Sequence, residues 1–90
     1  MSEYRILLTK QAKKDLEKIC SVPSLKSKVR QLTGLLAENP FANPPRYEKL
    51  VGDLDGLFSR RINIQHRLVY EVREEDKAVV IFRMWTHYDD

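Results

Sequence analysis

This 90-residue sequence has a single cysteine, Cys20, only three glycines, and no long apolar run. One cysteine forms no internal disulfide, so the fold must rest on burial alone. A membrane-spanning helix needs about 18 or more apolar residues in succession, and none is present. A charged-then-hydrophobic leader ending in small residues is also missing, so the expectation is a cytoplasmic protein with no membrane partner. Gly34, Gly52 and Gly56 are not at phosphate-loop spacing, which excludes nucleotide binding of that kind. What is there is 42% hydrophobic residues in a 10.6 kDa chain. That composition supplies one modest core, and the chain is too short for two, so residues 1–90 read as a single domain.

The formal net charge is +3, from 16 Lys and Arg against 13 Asp and Glu, and its distribution says more than its sum. Residues 1–45 hold eight basic and four acidic side chains (+4), whereas residues 46–90 hold eight basic and nine acidic (−1). Six of the eight bases in the first half are Lys, and six of the eight in the second half are Arg. Lys suits solvated faces. Arg offers a planar fork that matches phosphate oxygens, so the second half is equipped for anions despite its negative sum.

Tyr4 to Leu8 is a short apolar run that predicts a strand, and Thr9 is placed to cap a helix running to about Ser21. Ala12, Leu16 and Ile19 or Cys20 recur at helical spacing, with Lys10, Lys14 and Lys18 on the opposite side. Cys20 is therefore expected in the core. Pro23 ends this helix, Ser24 caps the next, and Leu25, Val29, Leu32 and Leu36 share one face of it until Asn39-Pro40 stops it. After the proline-rich loop 39–45 the period becomes strand-like. Tyr47–Val51, Leu57–Ile62, Arg67–Val72 and Ala78–Thr86 are the expected strands, joined by connections short enough for antiparallel pairing. The fold class is α+β in the order β-α-α-β-β-β-β, with both helices on one sheet face. Alternation assigns Val80, Phe82 and Met84 to the core, which lets Arg67, Arg83 and His87 converge on the open face.

Arg60, Arg61 and Arg67 lie on two adjacent strands, where like charges repel unless an anion fills the space between them. Screening by Glu48, Glu71 and solvent is the bland alternative. Glu48, at the start of the strand region, suits either a salt bridge or a general base. His87 ends the last strand, and an imidazole moves a proton near neutral pH. His66 sits by a turn and reads as structural. Asp53-Leu54-Asp55 has a metal-like spacing, but both acids flank glycines where turn formers are expected, so neither a metal nor a cofactor is expected.

Several segments together resemble one family: Pro40-Phe41, Tyr47-Glu48-Lys49-Leu50, Gly56-Leu57-Phe58-Ser59-Arg60-Arg61-Ile62, His66-Arg67-Leu68-Val69-Tyr70 and His87-Tyr88. This series, spread over nearly the whole chain, is similar to the YoeB/Txe family of RelE-like bacterial toxins. The resemblance implies a RelE-like fold and the toxin half of a type II toxin–antitoxin pair. It implies a metal-independent endoribonuclease, an mRNA interferase that cuts mRNA in the ribosomal A site and inhibits translation. The implied partners are a YefM-type antitoxin, the ribosome with rRNA contacts through the basic faces, mRNA, and a second copy of the chain in a homodimer. The family's roles carry over to Glu48 as general base, Arg67 as phosphate stabiliser, His87 as general acid and Tyr88 as a substrate-orienting residue; the crowding of arginines on the strands makes Arg60, Arg61 and Arg83 the expected substrate-binding residues. The chain departs from the family in its lysine-rich first helix and in Asp89-Asp90 after the tyrosine. A ParE-like inhibitor of DNA gyrase, built on the same fold without a nuclease site, is the alternative reading.

Overall fold

Thr9 starts the helical layer as its hydroxyl chemistry predicts, accepting a hydrogen bond from the Ala12 amide at 3.1 Å and donating to the Phe82 carbonyl at 3.1 Å. One side chain thus caps a helix and fastens it to the last strand. The computed structural model describes residues 3–43, 46–50, 52 and 56–85. Their elements are β1 (Arg5–Leu8), α1 (Lys10–Cys20), α2 (Pro23–Glu38), β2 (Tyr47–Lys49), β3 (Phe58–Arg61), β4 (Arg67–Arg73) and β5 (Ala78–Arg83). The expected α+β order is observed. Thr86, His87, Tyr88, Asp89 and Asp90 lie outside the described residues, as do Val51 and Asp53-Leu54-Asp55.

Three local expectations are corrected. Pro23 opens α2 at its first turn instead of closing α1, because its fixed φ and missing N–H suit that position; Val22, not Ser24, is the N-cap. Cys20 is exposed, since Ala12, Asp15 and Ile19 form the fully buried line of α1 and Cys20 falls beside it. In β5 the core residues are Val79 and Ile81, with Val80 and Phe82 half-buried, so the faces within the strand are reversed from the expected assignment, while Met84 just beyond it is buried as expected. Ala78 to Phe82 is apolar throughout, and an unbroken apolar run does not reveal its inward face.

The sheet order is β1-β5-β4-β3-β2. Strands β2 to β5 form the expected antiparallel meander, while β1 pairs in parallel with β5, Ile6 opposite Val79 and Leu8 opposite Ile81. Leu25, Val29, Leu32 and Leu36 from α2 and Ala12 and Ile19 from α1 pack on Leu68, Tyr70, Val79, Ile81 and Met84. Each large apolar side chain buried there contributes roughly 1.5–3 kcal/mol against leaving it in water.

Two polar knots close this core. Asp15, fully buried, accepts from Gln11 Nε2 at 3.0 Å on one oxygen. Its other oxygen accepts from Arg83 Nε at 2.9 Å, the Met84 amide at 3.0 Å and the Trp85 amide at 3.2 Å. Arg60, 1% exposed, donates to the Pro40 and Ala42 carbonyls, each at 2.9 Å, and to the Tyr70 hydroxyl at 3.1 Å. It also stacks 4.9 Å from the Tyr47 ring centre. The loop after α2 is thereby tied to the sheet from below. Burial pushes the Tyr70 hydroxyl above its ordinary value, against the opposing pull of Arg60.

Removing one partner of a buried network strands the others, so Asp15→Ala is expected to lower unfolding stability by about 3 kcal/mol, read by urea denaturation. Burial favours the neutral form of Asp15, but the Met84 amide, Gln11, Arg83 and the Trp85 amide outweigh it and hold the carboxyl below its ordinary 3.8. A depressed folded value means stability that is present above pH 3.8 and lost as pH falls through the folded value. Asp15→Asn is expected to flatten this acid limb in melts run from neutral to low pH. Arg60→Lys, which keeps the charge but not the planar fork, is expected to cost about 2 kcal/mol in the same denaturation assay.

Candidate functional site

Alternation along β3 divides its three polar residues between two faces. Arg60 points with Leu68 and Tyr70 into the core, whereas Ser59 and Arg61 point the other way. Cross-strand register then assembles the site: Glu48 lies opposite Ser59, and Arg61 opposite Arg67. Residues paired in this way project from the same face. Glu48, Ser59, Arg61 and Arg67 therefore share the face turned away from the core-directed residues.

There they line a cleft of about 650 Å³, completed by Lys28, Arg46, Ile62, Asn63 and Ile64. Four cations meet one carboxylate in this lining, so the cleft favours an anion. Arg67 Nη1 donates to Glu48 Oε1 at 2.8 Å. Among the described residues Lys28, Arg46 and Arg61 have no carboxylate partner. Glu71, one of the expected screening groups, pairs with Arg73 at 3.0 Å instead. The position of Arg67 is set by the preceding turn, where Asn63 Oδ1 accepts from the Gln65 amide at 2.8 Å and the His66 amide at 2.7 Å. His66 is buried and stacks on Trp85 at 4.1 Å between ring centres, which is the structural role its position by a turn suggests.

Of the residues singled out from the sequence, Glu48, Arg61 and Arg67 are brought together. Arg60 is not: it is consumed by loop carbonyls and Tyr70 beneath the sheet, out of reach of a ligand in the cleft. Arg83 is not either. It lies on the same side of β5 as the buried Val79 and Ile81, and it is turned to Asp15 of α1 and to the Trp85 carbonyl at 3.1 Å. The expected convergence of Arg67 with Arg83 is thus corrected. His87 and Tyr88 lie outside the described residues.

Two residues escaped sequence reasoning. Asp15 sits three residues after Ala12 and four before Ile19, so an acid on the apolar stripe of an otherwise basic helix was the signal for a buried carboxylate. Ser59 was hidden among arginines. It is buried in the cleft lining, and its hydroxyl has no hydrogen-bond partner among the described residues.

Comparison with known proteins bears on the fold and the family. Residues 6–90 match the model of the family described as ParE toxin of type II toxin-antitoxin system, parDE. Toxin YoeB of Synechocystis sp. is 36% identical over 64 residues, covering 71% of this chain and 72% of that protein. The solved YoeB/ParE toxin from Agrobacterium tumefaciens superposes with a TM-score of 0.86 at 28% identity, covering 93% of this chain and 99% of that one. The toxin of the YoeB-YefM complex from Staphylococcus aureus gives 0.82 at 31% identity, covering 94% and 98%. With a fold, a sheet-face cleft and a sequence match that span nearly its whole length, this chain belongs to the ParE toxin family of type II toxin–antitoxin systems, as one of its YoeB/RelE-like members.

Proposed function

We propose that this toxin is a ribosome-dependent endoribonuclease that cuts mRNA in the A site by attack of the ribose 2′-OH on the adjacent phosphate. The observation that carries the reading is the Glu48–Arg67 pair in a cleft with three further cations. A base and a phosphate ligand stand side by side there. Glu48 takes the 2′-OH proton, and the oxygen attacks phosphorus. Arg67, with Arg61 beside it, offsets the charge that grows on the phosphoryl oxygens. His87 returns a proton to the departing 5′ oxygen and Tyr88 orients the substrate, roles that rest on the resemblance of the terminal His-Tyr to the family. Both proton transfers use side chains, so the mechanism requires no metal.

The partner that silences it is a YefM-type antitoxin, as the S. aureus YoeB-YefM complex suggests by similarity. An acidic segment folding across the cleft would satisfy the same cations as RNA phosphate. The exposed Lys10, Lys14 and Lys18 of α1 supply a separate basic stripe for rRNA. The site of action is the cytoplasm, where translating ribosomes are.

The family-model match to ParE favours one other reading, inhibition of DNA gyrase by protein binding. Expression followed by mapping of mRNA ends and of plasmid topology separates the two. Discrete cuts within translated codons are expected, with supercoiling unchanged; altered supercoiling with intact mRNA would establish the gyrase reading. In single-turnover cleavage on programmed ribosomes, Arg67→Ala is expected to slow cutting by about a hundred- to a thousandfold. Glu48→Gln and His87→Gln are expected to be slow as well, with circular dichroism unchanged. Wild-type rates in all three folded variants would remove the site from the chemistry.

A further inference from the structure

Ser59 has no role in the chemistry above, and its surroundings are unusual. The residue is 1% exposed, and its hydroxyl is closed to water and has no partner among the described residues. Leaving a buried hydroxyl unpaired is costly, because its lost contact with water is not replaced. Buried polar groups are paired in the great majority of cases, so one left over in the lining of a charged cleft points to a partner that arrives during function. Register identifies that partner. Ser59 lies directly opposite Glu48 in the β2–β3 ladder, on the same face, where facing Cβ atoms are about 5 Å apart.

Glu48 is occupied in the resting protein, because Arg67 Nη1 holds its Oε1 at 2.8 Å. That pair opposes the proposed reaction: a guanidinium engaged by a carboxylate is not free to neutralise a phosphate. The pair is also easily opened. Its side chains are 31% and 52% exposed, and solvated pairs of this kind contribute little. A phosphodiester presents two oxygens to the guanidinium fork and displaces Glu48 from it.

We propose that Ser59 is a positioning residue: when substrate phosphate takes Arg67, the Ser59 hydroxyl donates to the released Glu48 carboxylate and holds it in the cleft. The inference rests on the reading of Glu48 as base and Arg67 as phosphate ligand. Ser59 makes and breaks no covalent bond. One carboxylate oxygen accepts its hydrogen bond, and the other remains free for the 2′-OH proton. The orphan hydroxyl is thus the cost of a carboxylate with two anchoring points, Arg67 at rest and Ser59 during the reaction.

Two experiments test this. A crystal structure of Arg67→Ala, which releases Glu48 without substrate, is expected to show Ser59 Oγ about 2.7 Å from a Glu48 carboxylate oxygen. A Glu48 side chain turned to solvent over a still unpartnered hydroxyl would overturn the proposal. In single-turnover cleavage, Ser59→Ala is expected to lower the maximal rate about tenfold while leaving half-saturation and melting temperature undiminished. Near-isosteric Ser59→Cys, a weak donor, is expected to behave alike. Adding Ser59→Ala to Glu48→Gln is expected to cause no further loss, because Ser59 acts only through Glu48. A wild-type rate in Ser59→Ala, or a loss that adds to that of Glu48→Gln, would overturn the proposal with the nuclease reading intact. If the wild-type protein cuts no mRNA, the nuclease reading fails, and the Arg67→Ala structure decides the Ser59 contact independently.

Discussion

The buried carboxylate of Asp15 holds the two layers of this protein in register. It links α1 simultaneously to the side chain at the end of β5 and to the next two backbone amides. A bare carboxylate at zero exposure would be strongly disfavoured, but four donors surround this one and keep it charged. The chain therefore has one direction in which it leaves the sheet at Met84 and Trp85. Trp85 in turn stacks on His66, whose amide closes the turn ahead of Arg67. A contact formed between helix and strand end thus reaches, through two rings and a turn, to a cleft residue.

Arg60 plays the complementary part on the other half of the sheet. By binding loop carbonyls from beneath, it ties the segment after α2 to the sheet near β2, the strand that carries Glu48. Neighbouring arginines in one motif consequently do different work. Arg60 is structure, and Arg61 is a cation on the face of the cleft with no carboxylate partner among the described residues. The distinction follows from strand alternation and from nothing in their chemistry.

This explains which parts were legible in the sequence. The Thr9 cap, the α2 stripe of Leu25, Val29, Leu32 and Leu36, and the shift from helical to strand period are local signals, and the structure follows them. The grouping of Glu48 with Arg67 was visible through family resemblance. Pairing of β1 with β5 in parallel was not, because it joins residues more than 70 positions apart. Arg60 looked like a ligand because inward orientation of an arginine depends on acceptors supplied by a distant loop. Arg83 looked like a neighbour of Arg67 because the apolar run Ala78 to Phe82 does not reveal which face of β5 turns inward. Asp15 carried a readable sign, a carboxylate on the inward side of a helix, whose meaning required its partners at residues 83–85.

The account's central claim is that the RNA supplies its own nucleophile to the Glu48–Arg67 cleft. Mg²⁺ cannot be withdrawn without dissociating ribosomes, so the direct measurement replaces an atom of the substrate instead. Translating ribosomes are programmed with mRNA bearing a single 2′-deoxy residue at the cut site and treated with the wild-type toxin. The account predicts that cutting at that position is abolished, while the all-ribose message yields a 2′,3′-cyclic phosphate or 3′-phosphate end. Unimpaired cutting at the deoxy position would contradict it.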